Sequence, residues 1–83
     1  MYEIIISDKT KKQLEKLSPQ VRNRIGSAFE RIKFRPFSFI KRKQGTPYYI
    51  LRIRDYRAIL NIPQNKLIIF VIEVGPRKNI YDS

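Results

Sequence analysis

The sequence predicts an α+β domain: an N-terminal strand, then a two-helix hairpin packed on an antiparallel sheet of about four strands. Three observations carry this. Apolar residues recur at helical spacing between Val21 and Ile32, and three strand-like runs crowd between Tyr48 and Val74. The chain has 83 residues and is 42% hydrophobic, enough for one small core and too little for two. We read residues 1–83 as a single domain, with no repeat, linker or low-complexity segment.

Taken in order, Tyr2-Glu3-Ile4-Ile5-Ile6 has the β-branched character of a strand. Ser7 or Asp8 then caps a short helix through Leu17, whose apolar contacts are chiefly Leu14 and Leu17 and whose other face is lysine. Ser18-Pro19 pairs a capping hydroxyl with proline at the first helical position, and Val21, Ile25, Ala28, Phe29 and Ile32 fall on one stripe of the second helix. Pro36 disfavours helical geometry at Arg35, so this helix should stop there, and the stretch through Gly45-Thr46-Pro47 reads as a loop carrying Lys41, Arg42 and Lys43. Tyr48–Ile53, Tyr56–Ile62 and Leu67–Val74 follow, separated by turns at Arg54-Asp55 and Pro63–Lys66, as in an antiparallel meander.

A two-residue turn at Arg54-Asp55 sets Ile53 against Tyr56 and Arg52 directly across from Arg57. One face then holds Tyr49, Leu51, Ile53, Tyr56, Ala58, Leu60 and Ile62 and belongs against the helical stripe. The Arg52 and Arg57 face, with Ile50 and Ile59, is left for solvent or a ligand. Two arginines opposed across strands repel, so the pair invites an anion. Pairing of either with Glu73 or Asp55, or a merely solvated basic face, accounts for them equally well at this point. The apolar strand Leu67–Val74 runs on into Gly75-Pro76-Arg77-Lys78-Asn79-Ile80-Tyr81, which aims a third arginine and a tyrosine from the end of a central strand. Tyr81 serves as readily as a hydrophobic anchor for the tail.

Composition narrows the chemistry. Eighteen Lys and Arg against seven Asp and Glu give a formal charge of +11, which points to a polyanionic partner. Lys9, Lys11, Lys12 and Lys16 in the first helix, together with Lys41–Lys43, are ordinarily solubilising charge; for nucleic acid they supply sequence-independent attraction. With no cysteine and no histidine, disulfides, thiolate or imidazole metal sites and histidine proton transfer are excluded. Seven scattered carboxylates suggest no magnesium cage, so we expect neither metal nor cofactor. No run reaches the roughly 18 apolar residues of a membrane span, and a strand-like start in place of a signal peptide suggests a cytoplasmic protein.

Leu51-Arg52-Ile53 leading into Asp55-Tyr56-Arg57, and Val74-Gly75-Pro76-Arg77-Lys78-Asn79-Ile80-Tyr81, resemble the RelE/ParE superfamily of bacterial and archaeal toxins, and its RelE branch in particular. The resemblance spans essentially the whole chain. It implies a ribosome-dependent endoribonuclease of a type II toxin-antitoxin system that cuts mRNA in the aminoacyl site and is neutralised by a RelB-like antitoxin in a heterotetramer or similar complex. It also implies working residues at Arg52, Arg57, Arg77 and Tyr81. As RNA and ribosome contacts we take, from their charge, Lys9, Lys11, Lys12, Lys41, Arg42, Lys43, Arg54 and Lys78. This chain departs from the family pattern at Ile50, where a basic residue is frequent, and at Arg54, where glycine is frequent; Arg54 and Lys43 are candidates for the missing charge. The alternatives are the ParE branch, which poisons DNA gyrase, and a non-catalytic RNA- or ribosome-binding module.

The chemistry fits such an enzyme, because RNA carries its own nucleophile in the ribose 2′-hydroxyl. The protein must orient the chain, stabilise charge on phosphorus and move protons. Arginine forks match phosphate oxygens, and we assign Arg57 and Arg77 to that role. Arginine, with a pKa above about 12, is a poor base, and a tyrosine near about 10 serves only where neighbouring cations lower it. So weak an acid-base inventory predicts slow cleavage of free RNA and dependence on an external platform such as the ribosome.

Overall fold

The computed structural model describes residues 1–80. The order of elements is β1 (Glu3–Ile6), α1 (Asp8–Glu15), α2 (Pro19–Ile32), a 3-10 turn (Pro36–Ser38), β2 (Ile40–Arg42), β3 (Tyr49–Ile53), β4 (Tyr56–Asn61), β5 (Ile68–Pro76) and a second 3-10 turn (Arg77–Asn79). Both helices begin as expected. The Ser7 and Ser18 hydroxyls accept from the amides of Thr10 and Val21, satisfying donors that a helix start leaves open.

The strands form one five-stranded sheet in the order β1-β5-β4-β3-β2. This corrects the expected sheet of about four antiparallel strands in two ways. β1 runs parallel to β5, which is possible because the whole chain between them serves as the crossover. β2 lies within the expected loop, where three residues including Lys41 and Arg42 give too short and too polar a run to read as a strand. The helix hairpin packs on one face only. Ile25, Ala28, Phe29 and Ile32 of α2 form one buried cluster with Leu51, Ile53, Ala58, Leu60, Ile62, Ile69, Val71 and Val74 of the sheet. The predicted pairing of Ile53 with Tyr56 and Arg52 with Arg57 is the observed register.

α1 holds the sheet by polar contacts. Pairing of β4 with β5 slips between Ile59/Glu73 and Leu60/Val71, so Ile72 is an extra residue, a bulge that turns both Val71 and Val74 into the core. β1 stops at Ile6, opposite Val71, leaving the edge of β5 beyond it unpaired. Side chains of the adjoining turn and α1 take that edge. Ser7 Oγ donates to the carbonyl of Ile72, fully buried Thr10 donates to that of Val71, and Gln13 Oε1 accepts from the amide of Val74. Among the described residues, no helix is long and apolar enough to cross a membrane.

Candidate functional site

Residues paired across antiparallel strands point to one face, so the register Arg52–Arg57–Gly75 defines a row across β3, β4 and β5 on the side away from the helices. Beside it runs Lys41–Ile50–Ile59–Glu73. This face is less open than its sequence suggests. Ile50 is 1% exposed and Arg57 6%, whereas Arg52 remains exposed. The chain end also reaches this row: a β-carbon placed on Gly75 would lie 3.3 Å from Cδ1 of buried Ile80. Glycine at that point of the row lets Ile80 fold back over the strand.

Arg57 is built into the hairpin. Its Nη1 donates to the carbonyls of Arg54, at 2.6 Å, and of Tyr56, at 2.8 Å, bracing the turn from beneath. The amide of Arg77 donates to the carbonyl of Asp55 at 2.7 Å, so the C-terminal turn is fastened to the same hairpin. Backbone bonding therefore brings the Arg77 segment to the Arg52–Arg57 end of the sheet. The exposed side chains of Arg77 and Lys78, with Asp55 and Pro76, line an open cleft of about 470 Å³. Glu73 pairs with Lys9 at 3.5 Å. Tyr81, the fourth expected working residue, lies outside the described residues.

The expected basic loop is divided by β2. Lys41 shares the face of Ile50 and Arg52, and these three with Phe39 line a second cleft. Arg42 pairs with Tyr49 and so points to the helix side, where its guanidinium sits 5.5 Å from the Tyr49 ring centroid and its Nε donates to the carbonyl of Thr46. Arg42 thus stands apart from the arginine row. Lys43 continues the strand edge through its amide, which donates to the carbonyl of Tyr48. Lys9, Lys11 and Lys12 lie exposed on α1.

Sequence reasoning missed two residues. Arg24 and Arg31 of α2 reach the free edge of β3 past the end of β2 and share a cleft of about 240 Å³ with Arg52 and Arg54. Arg24, Ala28 and Arg31, spaced four and then three apart beside the apolar stripe, would have placed both arginines on one flank of α2. Among the described residues, no three carboxylates come close enough together to hold a metal ion.

The fold has close counterparts. The RelE toxin of the RelBE2 toxin-antitoxin complex from Mycobacterium tuberculosis superposes with a TM-score of 0.81 at 20% identity, covering 92% of this chain and 98% of that one. The archaeal RelE-RelB complex from Pyrococcus horikoshii gives 0.81 at 22% identity, covering 95% and 98%. The intact E. coli RelBE complex gives 0.77 at 22% identity, covering 92% and 96%. At such identities these likenesses establish the fold. No curated protein matches the sequence significantly. The family model described as the ParE toxin of the type II toxin-antitoxin system parDE matches residues 4–81. The chain therefore belongs to that family of toxins, within the RelE/ParE superfamily.

Proposed function

We propose that this toxin is a metal-independent endoribonuclease that cleaves mRNA in the aminoacyl site of the ribosome and so inhibits translation in the cytoplasm. The observation that carries this reading is the convergence of Arg52, Arg57 and the Arg77 turn at one end of the sheet. A gyrase poison built on the same scaffold has no need of such a grouping.

In this mechanism the 2′-oxygen attacks the adjacent phosphorus while the bond to the 5′-oxygen of the next nucleotide breaks. The products are a 2′,3′-cyclic phosphate and a 5′-hydroxyl. One proton leaves the 2′-hydroxyl and one reaches the departing 5′-oxygen, so the sum is neutral. Exposed Arg52 and Arg77 carry the planar guanidinium forks that match phosphate oxygens as charge builds on them. Buried Arg57, with one nitrogen already given to the hairpin carbonyls, contributes a fixed positive charge from behind. Tyr81 is the proposed proton-transfer residue. With Ile50 where the family often has a basic residue, no strong base stands in the row, and the ribosome must supply the in-line geometry.

The partner that restrains the toxin is proposed to be a RelB-like antitoxin, because the solved relatives above are toxin-antitoxin complexes. A domain at +11 calls for acidic segments to quench it. The second reading, poisoning of DNA gyrase, is favoured by the ParE description of the matching family.

Primer extension on a translated message tests the proposal. Cuts inside codons that require ribosomes support it. Intact RNA together with a blocked supercoiling reaction transfers the assignment to gyrase, and binding to ribosomes without cut ends indicates a non-catalytic module.

A further inference from the structure

The cleft between α2 and the free edge of β3 is lined by Arg24, Ala28, Arg31, Arg52, Ile53 and Arg54. Four of the six are arginines, and none is acidic. Among the described residues, the side chains of Arg24, Arg31 and Arg54 form no ion pair. Arg31 is held instead against the ring of Phe39, 5.8 Å from its centroid, which restrains the guanidinium without neutralising it.

Arg54 presents its cation from an unusual backbone geometry. It is the first of the two hairpin residues and has φ of 53°, the left-handed region where side chains are strained and where hairpins of this length ordinarily use glycine. It is the only non-glycine residue with positive φ among those described. A strained backbone held in place to present a cation, next to three more cations on the same cleft, makes sense for a site with an anionic ligand.

We propose that this cleft is a phosphate subsite for single-stranded RNA, separate from the Arg52–Arg57–Gly75 row and adjoining it through Arg52. The assignment rests on the RNA reading above and adds to it where a neighbouring stretch of the strand runs. Planar guanidinium forks suit the phosphate oxygens of an extended backbone, and a cleft of about 240 Å³ open at the sheet edge admits a phosphodiester.

The test is fluorescence anisotropy with a labelled 2′-O-methyl oligonucleotide, which cannot be cut, so binding is read whether or not the protein is a nuclease. Arg54→Gly should melt at higher temperature than the native chain, since glycine relieves the strain, and yet bind about fivefold more weakly at 0.1 M salt. That factor is the counterion release of one phosphate contact, and the slope of log K against log salt should become shallower by about 0.7. Arg24→Gln should reproduce the weaker binding and shallower slope. Lys66→Gln, which removes the same charge in the turn between β4 and β5 at the far end of the sheet, should leave the slope unchanged. Native-like slopes for Arg54→Gly and Arg24→Gln, or an equal loss with Lys66→Gln, overturn the subsite. Duplex DNA bound as tightly as the oligonucleotide through the same arginines overturns the choice of ligand.

Discussion

Replacing Arg57 by alanine removes a buried guanidinium whose Nη1 holds the carbonyls of Arg54 and Tyr56 at 2.6 and 2.8 Å. Hydrogen bonds from a charged donor contribute about 1.5–3 kcal/mol each. Both carbonyls belong to a surface hairpin that water can reach once the side chain is gone, and removing one of two opposed arginines also relieves repulsion with Arg52. We therefore place the net loss at about 2–4 kcal/mol, below the plain sum of two such bonds. In a domain of this size each kcal/mol moves the melting temperature by about 4–8 °C, so Arg57→Ala should melt roughly 10–30 °C lower. Arg57→Lys keeps the charge and loses the planar fork, and should fall about half as far. Arg52→Ala, on the exposed partner, should shift melting by less than about 5 °C, the effect of well under 1 kcal/mol. Thermal unfolding followed by circular dichroism, with urea midpoints alongside, decides the matter. An Arg57→Ala protein that melts within 2 °C of the native chain would refute the bracing role and return Arg57 to the surface row that its sequence suggested.

Three further outcomes follow from the packing. Ile25→Ala, at a position with no exposed surface, should cost about 2–5 kcal/mol by cavity formation, read as a lower urea midpoint with unchanged slope. Thr10→Val keeps the volume and loses the Thr10 Oγ1 bonds to the Val71 carbonyl and Ser7 Oγ; it should cost about 1–2 kcal/mol, measured in the same way. Gly75→Ala presses a methyl against Ile80, and the lower entropy of the unfolded chain offsets part of the strain. Its stability should change by less than about 1 kcal/mol, while the Arg77 amide, bonded to Asp55, should exchange its hydrogen roughly tenfold faster.

What could be read from the sequence depended on how local the determining physics was. The Ser18-Pro19 start, the 3.6-residue stripe of α2 and the two-residue turn each act within a few positions, and so α2, the hairpin register and the face opposite the helices could be derived directly. β2 and the parallel β1–β5 pair depend on partners far along the chain and leave no periodic signal. At the candidate site, the pairing of Arg52 with Arg57 was legible because register alone sets it. The burial of Arg57 was not, because it results from a side chain folding back onto its own turn. Arg24 and Arg31 looked like ordinary helix surface until the free edge of β3 was placed beside them.

Single-turnover cleavage of mRNA positioned in purified ribosomes tests the nuclease assignment, comparing the native chain with Arg52→Ala and Arg77→Ala proteins first shown to melt like it. Charge-stabilising groups at a phosphoryl centre are typically worth about 10²–10³ in rate. A loss of that order is expected for each variant, with ribosome binding largely retained. Cleavage at the native rate by both variants, or no cleavage by the native chain, would contradict it.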